Sequence, residues 1–223
     1  MNTTDNSDNN QNTHSAQRIF MTGISTEIGK TFSSAVVCKA LDADYFKPLQ
    51  AGELEFTDAD TVAQYQGPNH TNHGVGIGLL EPMSPHAAAD LENRVVHVSD
   101  IPFPKTDNTL VVEGAGGILV PINKTETIAD MIRPEDAVIL VSKHYLGSIN
   151  HTLLSYDYLA QRGNKVGILF NGAEHPSTES IIASKTGATI LGRLDWAEEV
   201  DADFVSAQAQ KIQTALKDFV YGK

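Results

Sequence analysis

Residues 18–31 read Arg-Ile-Phe-Met-Thr-Gly-Ile-Ser-Thr-Glu-Ile-Gly-Lys-Thr, an apolar run that leads directly into a loop bounded by Gly23 and Gly29 and closed by Lys30 and Thr31. These residue types suit phosphate. Glycines let backbone N–H groups turn toward phosphate oxygens, and the helix that follows offers its positive N-terminus. Lys30 reaches the terminal phosphates, and the Thr31 hydroxyl can ligate Mg²⁺. Strand, loop and helix stand in the order the motif requires, so a nucleoside triphosphate is the expected ligand. Five residues, Ile24 to Ile28, separate the two glycines where the general pattern has four. The loop is therefore a variant, and Glu27 sets a negative charge beside the phosphates.

Other residues can complete such a site. Glu113 ends the apolar run 109–113 and is followed by Gly114, Ala115, Gly116 and Gly117, a carboxylate placed to hold Mg²⁺ where backbone and ligand can approach closely. Lys47, fixed by Pro48, also ends a short apolar run, where an ammonium would be costly without an anion. Asp58 and Asp60 could begin a helix, or one of them could add a Mg²⁺ ligand. Gly147, Ser148 and Asn150 open a helical stretch whose free N–H groups could receive a carboxylate, or Ser148 could cap its own helix. Asn171 follows another apolar run and could meet an adenine edge or start a turn.

The elements that must carry these groups alternate. Strand-like runs fall at 18–22, 44–47, 109–113, 137–141, 165–170 and 189–191, and helical stretches at 30–41, 57–66, 85–93, 128–132, 148–162, 178–186 and 203–220. Continuous apolar strands separated by helices predict a doubly wound α/β fold, a mainly parallel sheet with helices on both faces. Ligands in such folds sit at the carboxyl ends of strands. Residues 67–78, rich in Gly, Asn and His, read as a mobile loop. Its His70 and His73 read as solvated, because no acidic or thiol partner stands at ligand spacing.

Composition bounds the rest. The 223 residues allow one sizeable core, expected as a single P-loop domain over 18–223, while residues 1–17 are too polar to order and are expected as a disordered tail. They lack the apolar segment of a secretory signal, and no run has the length of a membrane span. A lone cysteine, Cys38, excludes an internal disulfide and fits the cytoplasm, with a buried, inert thiol as the expectation. The net charge of −12 argues against nucleic acid as partner. No Ser-His-Asp set points to a nucleophilic mechanism.

Taken together, the long phosphate loop, Tyr45-Phe-Lys-Pro48, Ser84-Pro-His86, Val112-Glu-Gly-Ala-Gly-Gly117 and Leu146-Gly-Ser-Ile-Asn-His-Thr152 resemble the dethiobiotin synthetase family, and the resemblance runs from Arg18 to about Trp196. It implies a P-loop α/β homodimer with active sites at the subunit interface. It also implies ATP- and Mg²⁺-dependent closure of a ureido ring from 7,8-diaminononanoate and CO₂. By this resemblance Glu27, Ile28, Gly29, Lys30, Thr31 and Phe32 wrap the ATP phosphates, with Gly114, Ala115 and Gly116 beside the nucleotide. Thr31, Asp60 and Glu113 hold Mg²⁺, and Lys47 and Lys30 are the catalytic lysines. Asn171, Gly172 and the segment Arg193 to Trp196, with Leu194 and Asp195, recognise adenine, while Gly147 to Asn150, with Ser148, receive the substrate carboxylate from the neighbouring subunit. The chain departs from the family at Ala51, where a small hydroxyl residue often contacts substrate, and at Asp195, where proline is usual.

A related class, the P-loop switch ATPases that position other cell components, usually carries an additional lysine early in the loop. Here Ile24 and Ser25 stand there. The 203–220 helix has no strong cationic face for a membrane or DNA. An ATP-dependent amidase of related fold would need a glutaminase domain, for which there is no room.

Overall fold

A computed structural model describes residues 16–222. Seven parallel strands form one sheet: β1 (Arg18–Gly23), β2 (Asp44–Ala51), β3 (Asn72–Leu79), β4 (Leu110–Gly117), β5 (Ala137–Lys143), β6 (Lys165–Asn171) and β7 (Thr189–Leu194), in the order β3-β2-β4-β1-β5-β6-β7. The inner strands are buried almost throughout, which is why their apolar runs do not alternate. Helices α1 (Lys30–Leu41), α2 (Asp58–Ala63), α3 (Pro85–Leu91), α4 (Ser148–Gln161), α5 (Pro176–Thr186) and α6 (Ala202–Tyr221) connect and cover the strands. The doubly wound α/β expectation holds.

From central β1 the chain builds outward to β2 and β3 on one side and to β5, β6 and β7 on the other. The loop after β1 therefore opens at the topological switch point, where the diverging connections leave a crevice. Ile24 N–H donates to the Val141 carbonyl at 3.2 Å and anchors the loop's first residue to β5.

Three local expectations are corrected. Residues 72–79 form the edge strand β3, parallel to β2, and not a mobile loop. The glycines there do not punctuate a loop: a Cβ on Gly76 would lie 2.8 Å from both Phe46 and the Pro48 carbonyl, so the small residue allows close packing on β2. His70 and His73 are likewise not solvated, since His70 pairs with Asp42 at 3.2 Å and His73 with Asp44 at 3.1 Å. The stretch at 128–132 is one 3₁₀ turn, Ile128–Met131. Gln17 is tied to β4 through its carbonyl, which accepts from Leu110 N–H at 2.9 Å. The rest of the tail expectation lies outside the described residues, apart from Ala16. Cys38 is buried, and burial raises its pKa well above the ordinary thiol range.

Candidate active site

Gly29 caps α1 in the left-handed conformation, φ 85°, and a Cβ there would come within 2.1 Å of Asn171 Nδ2. Only glycine fits. Glu27 also has positive φ, 53°, which turns the long loop toward the helix start. Lys30, the first residue of α1, is buried and spans the loop, its Nζ donating to the Ser25 carbonyl at 2.9 Å. Burial lowers its pKa to about 8, although the nearby Glu113 carboxylate pulls it upward.

Next to Lys30, Thr31 Oγ1 donates to Asp58 Oδ1 at 2.7 Å and approaches Glu113 Oε1 at 3.2 Å. Lys47 lies in the middle of β2, which runs on to Ala51 and not, as expected, to Lys47, and it places its Nζ between the same carboxylates. It lies 2.8 Å from Glu113 Oε1, pairs with Asp58, and contacts the Gly114 carbonyl at 3.4 Å. Burial would lower the Lys47 pKa, but Glu113 and then Asp58 outweigh it and the shift is upward, so the ammonium stays charged. Burial pushes the Asp58 carboxyl up, and Lys47, with Thr31 and Lys30, brings it below the ordinary value.

Glu113 is fully buried, and its second oxygen, Oε2, accepts from the Tyr45 hydroxyl at 2.9 Å. Tyr45 escaped the sequence reading. Only its place two residues before Lys47, on the same face of β2, could have signalled it.

The oxygens of Thr31, Asp58 and Glu113 thus converge. Their 2.7 and 3.2 Å separations compare with about 2.9 Å between adjacent ligands of an octahedral cation bound at roughly 2.05 Å, and hard oxygen donors suit Mg²⁺. Asp60, the acid expected in this set, is elsewhere. Its Oδ2 accepts from Thr57 N–H at 2.8 Å and from the Thr57 hydroxyl at 2.7 Å, closing a capping box at the start of α2. Two residues along a helix is about 200° of rotation, so Asp58 and Asp60 point to opposite sides and only one can face the loop.

A cleft of about 640 Å³ lies over this group. Lys30, Thr31, Lys47, Asp58 and Glu113 line its charged end, and Leu49, Pro82, Met83 and Val120 give it apolar walls. Glu27, Gly29, Ala51, Ala115 and Gly116 also border it. Several other expected site residues do not. Ile28 is a core residue, Phe32 stacks on Phe204 of α6 at 5.8 Å, and Gly114 lies where a Cβ would crowd Ile128 and Phe20.

Asn171 ends β6 and Gly172 follows it, and Arg193 and Leu194 end β7 with Asp195 next. Asn171 Nδ2 donates to the Ile28 carbonyl at 2.8 Å, so this group abuts the phosphate loop. Arg193 pairs with Glu179 at 3.2 Å and Asp195 with Lys211 at 2.7 Å. Gly147, at φ 103°, rather than Ser148, is the N-cap of α4. This helix start lies outside the cleft, with Asn150 exposed beside fully exposed Leu146.

A phosphate loop at the switch point of a parallel sheet, faced by buried lysines and carboxylates, defines a P-loop nucleotide-binding protein. Residues 17–203 match the family described as AAA domain. The ATP-dependent dethiobiotin synthetase BioD of Christiangramia forsetii is 47% identical over 199 residues, covering 88% of this chain and 96% of the relative. That of Cytophaga hutchinsonii is 44% identical over 200 residues, covering 88% and 97%.

Among solved structures, the MinC:MinD cell division protein complex of Aquifex aeolicus aligns with a TM-score of 0.52 at 14% identity, covering 92% of this chain and 93% of that one. A plasmid partition protein from Borrelia burgdorferi gives 0.51 at 10% identity, covering 92% and 98%. These two show the fold alone. The chain belongs to the dethiobiotin synthetase family, ATP-dependent ligases of biotin biosynthesis. Membership sets aside the switch-ATPase reading.

Proposed function

We propose that the chain closes the ureido ring of dethiobiotin from 7,8-diaminononanoate and CO₂. One amine adds to CO₂ and loses a proton, giving a carbamate. A carbamate oxygen attacks the γ-phosphorus of ATP and releases ADP, and the second amine then attacks the carbamoyl carbon and expels phosphate. Each step exchanges one bond for another, and none needs a protein nucleophile. The observation that carries this reading is the Lys47 ammonium, buried between Glu113 and Asp58 beside Lys30 and the phosphate loop.

Lys30 and Lys47 neutralise the transferring phosphoryl group and the carbamate, and the cleft holds the reacting groups in line. Tyr45 keeps Glu113 turned so that Oε1 faces Thr31 and Lys47. Thr31, Asp58 and Glu113 would hold Mg²⁺, which when bound supplies positive charge to the phosphate oxygens. The apolar walls suit the substrate's carbon chain.

The reading includes a homodimer. Nothing within one chain's cleft grips a distant carboxylate, whereas α4 does so with exposed Asn150 and the N–H groups that follow Ser148, itself buried and donating its N–H to the Tyr145 carbonyl at 2.9 Å, if a second copy brings them across. Exposed Leu146, Ile149 and Leu154 beside it support burial against another chain. None of the described helices is long and apolar enough to cross a membrane. We place the enzyme in the cytoplasm, where ATP is supplied. The test is ATP-dependent incorporation of labelled bicarbonate with 7,8-diaminononanoate as acceptor, with ADP and phosphate measured in parallel. Label in dethiobiotin with equal ADP release is expected, and ATP hydrolysis without incorporation overturns the reading.

A further inference from the structure

Gln50 stands three residues beyond Lys47 on β2, lines the cleft, and is 6% exposed. Its Nε2 donates to the Gly52 carbonyl at 3.1 Å, which fixes the amide's orientation, because the flipped form would set two oxygens against each other. The remaining oxygen, Oε1, is buried and accepts no hydrogen bond. Among the described residues lining the cleft it is the one buried side-chain acceptor in that condition.

No side chain in the structure donates to it. Lys47 is turned to Glu113 and Asp58 and Lys30 to the Ser25 carbonyl, and the adjacent Ala51 has no hydroxyl. A buried acceptor without a donor is a standing cost that a ligand's donor can remove. Phosphate and carboxylate oxygens cannot do this, since they only accept. A primary amine can.

We propose that Gln50 is a substrate-specificity residue whose Oε1 accepts a hydrogen from one of the two vicinal amines of the diamine substrate. The proposal rests on the ring-closing reading above. It gives the cleft a polar discriminator beside the catalytic lysine, at the residue next to the one where this chain lacks the family's usual hydroxyl. A site built around a substrate N–H rejects analogues without it, because its own acceptor is then left buried and unpaired.

The test compares wild type with Gln50→Met, which has similar bulk and no acceptor, and with Gln50→Glu, which loses the donor to Gly52 but keeps an oxygen. Calorimetric titration would use 7,8-diaminononanoate and the single-amine analogues 7-aminononanoate and 8-aminononanoate. Wild type should bind the diamine at least about 10-fold more tightly than one of the single-amine analogues. Gln50→Met should lose that preference and raise the KM for the diamine about 10-fold, with the KM for ATP unchanged within about twofold. Gln50→Glu should keep diamine affinity within about threefold.

Unchanged diamine affinity in Gln50→Met overturns the proposal. So does an equal loss in both variants, which would assign Gln50 to holding Gly52. If wild type makes no dethiobiotin, it is the ring-closing reading that fails.

Discussion

Thr31 and Asp58, 27 residues apart in the chain, are joined by a 2.7 Å hydrogen bond between the first turn of α1 and the first residue of α2. The pair brings a second carboxylate to the phosphate loop opposite Glu113. It also separates two acids that look equivalent in Thr57-Asp-Ala-Asp-Thr61. Asp58→Asn should slow turnover on the order of 100-fold and raise the Mg²⁺ concentration needed for half-maximal rate. Asp60→Asn should leave both within about twofold while lowering the melting temperature through loss of its cap. Steady-state rates across a Mg²⁺ series would decide, and the reverse pattern would restore Asp60 to the metal.

Lys47→Ala should retain ATP binding and lose turnover by on the order of 10²–10³-fold, because the lysine stands at the reacting groups and not along the loop. It also leaves fully buried Glu113 without its cation, so stability should fall by about 3–5 kcal/mol. ATP titration beside single-turnover rates and denaturant unfolding separates these effects. Equal losses of affinity and rate would reassign Lys47 to nucleotide binding.

Tyr45→Phe removes one hydroxyl and the only donor on Glu113 Oε2 among the described residues. The freed carboxylate can rotate away from Thr31, so the Mg²⁺ requirement should rise about 10-fold while the KM for ATP at saturating Mg²⁺ stays close to wild type. A matched rise in both would show a general disturbance of the site.

Asp44 is the buried hub behind the edge strand. Its carboxylate accepts from Thr71 N–H at 2.9 Å, Thr106 Oγ1 at 2.7 Å and Asn108 Nδ2 at 3.1 Å, with His73 at 3.1 Å. Burial pushes its pKa up, but these hydrogen bonds together hold it below the ordinary 3.8. The stabilisation is therefore complete above that ordinary value and is lost as pH falls through the lower folded one. Asp44→Asn should lower stability at pH 7 by about 1–3 kcal/mol, and the gap to wild type should narrow below about pH 4. Urea unfolding at pH 7 and pH 3 checks this, and a gap independent of pH would show that the charge plays no part.

Mixing inactive Lys30→Ala with inactive Asn150→Asp protein should restore about a quarter of wild-type activity after subunit exchange. Random pairing makes half the dimers mixed, and each mixed dimer assembles one intact site. No recovery despite proven exchange would place each site within one chain.

The glycine, lysine and hydroxyl of the phosphate loop were legible in the sequence, because local chemistry governs them, whereas the turn of Ile28 into the core and of Phe32 onto Phe204 was not. Glycine at positive φ, a lysine and a hydroxyl at a helix start act within a few residues of one another. The buried strands were legible for a similar reason, since their apolar runs report burial on both faces. Edge strand β3 was hidden because its glycines serve a contact with β2, and only the paired strand shows that Gly76 must admit Phe46. The identity of the acid opposite Thr31 also lay beyond the sequence. Thr57 can cap through either local acid on paper, but the rotation of α2 against the loop directs Asp58 inward and spends Asp60 on the cap. Likewise Tyr45 and Gln50 look like ordinary strand residues. Their meaning comes from where β2 lies beside β4: Tyr45 meets Glu113 across 68 positions, and Gln50, which lines the cleft, keeps a buried oxygen without a donor. The sequence determined which groups were available for phosphate chemistry. Tertiary packing decided which oxygens meet, because burial and strand register act between residues that the chain holds far apart.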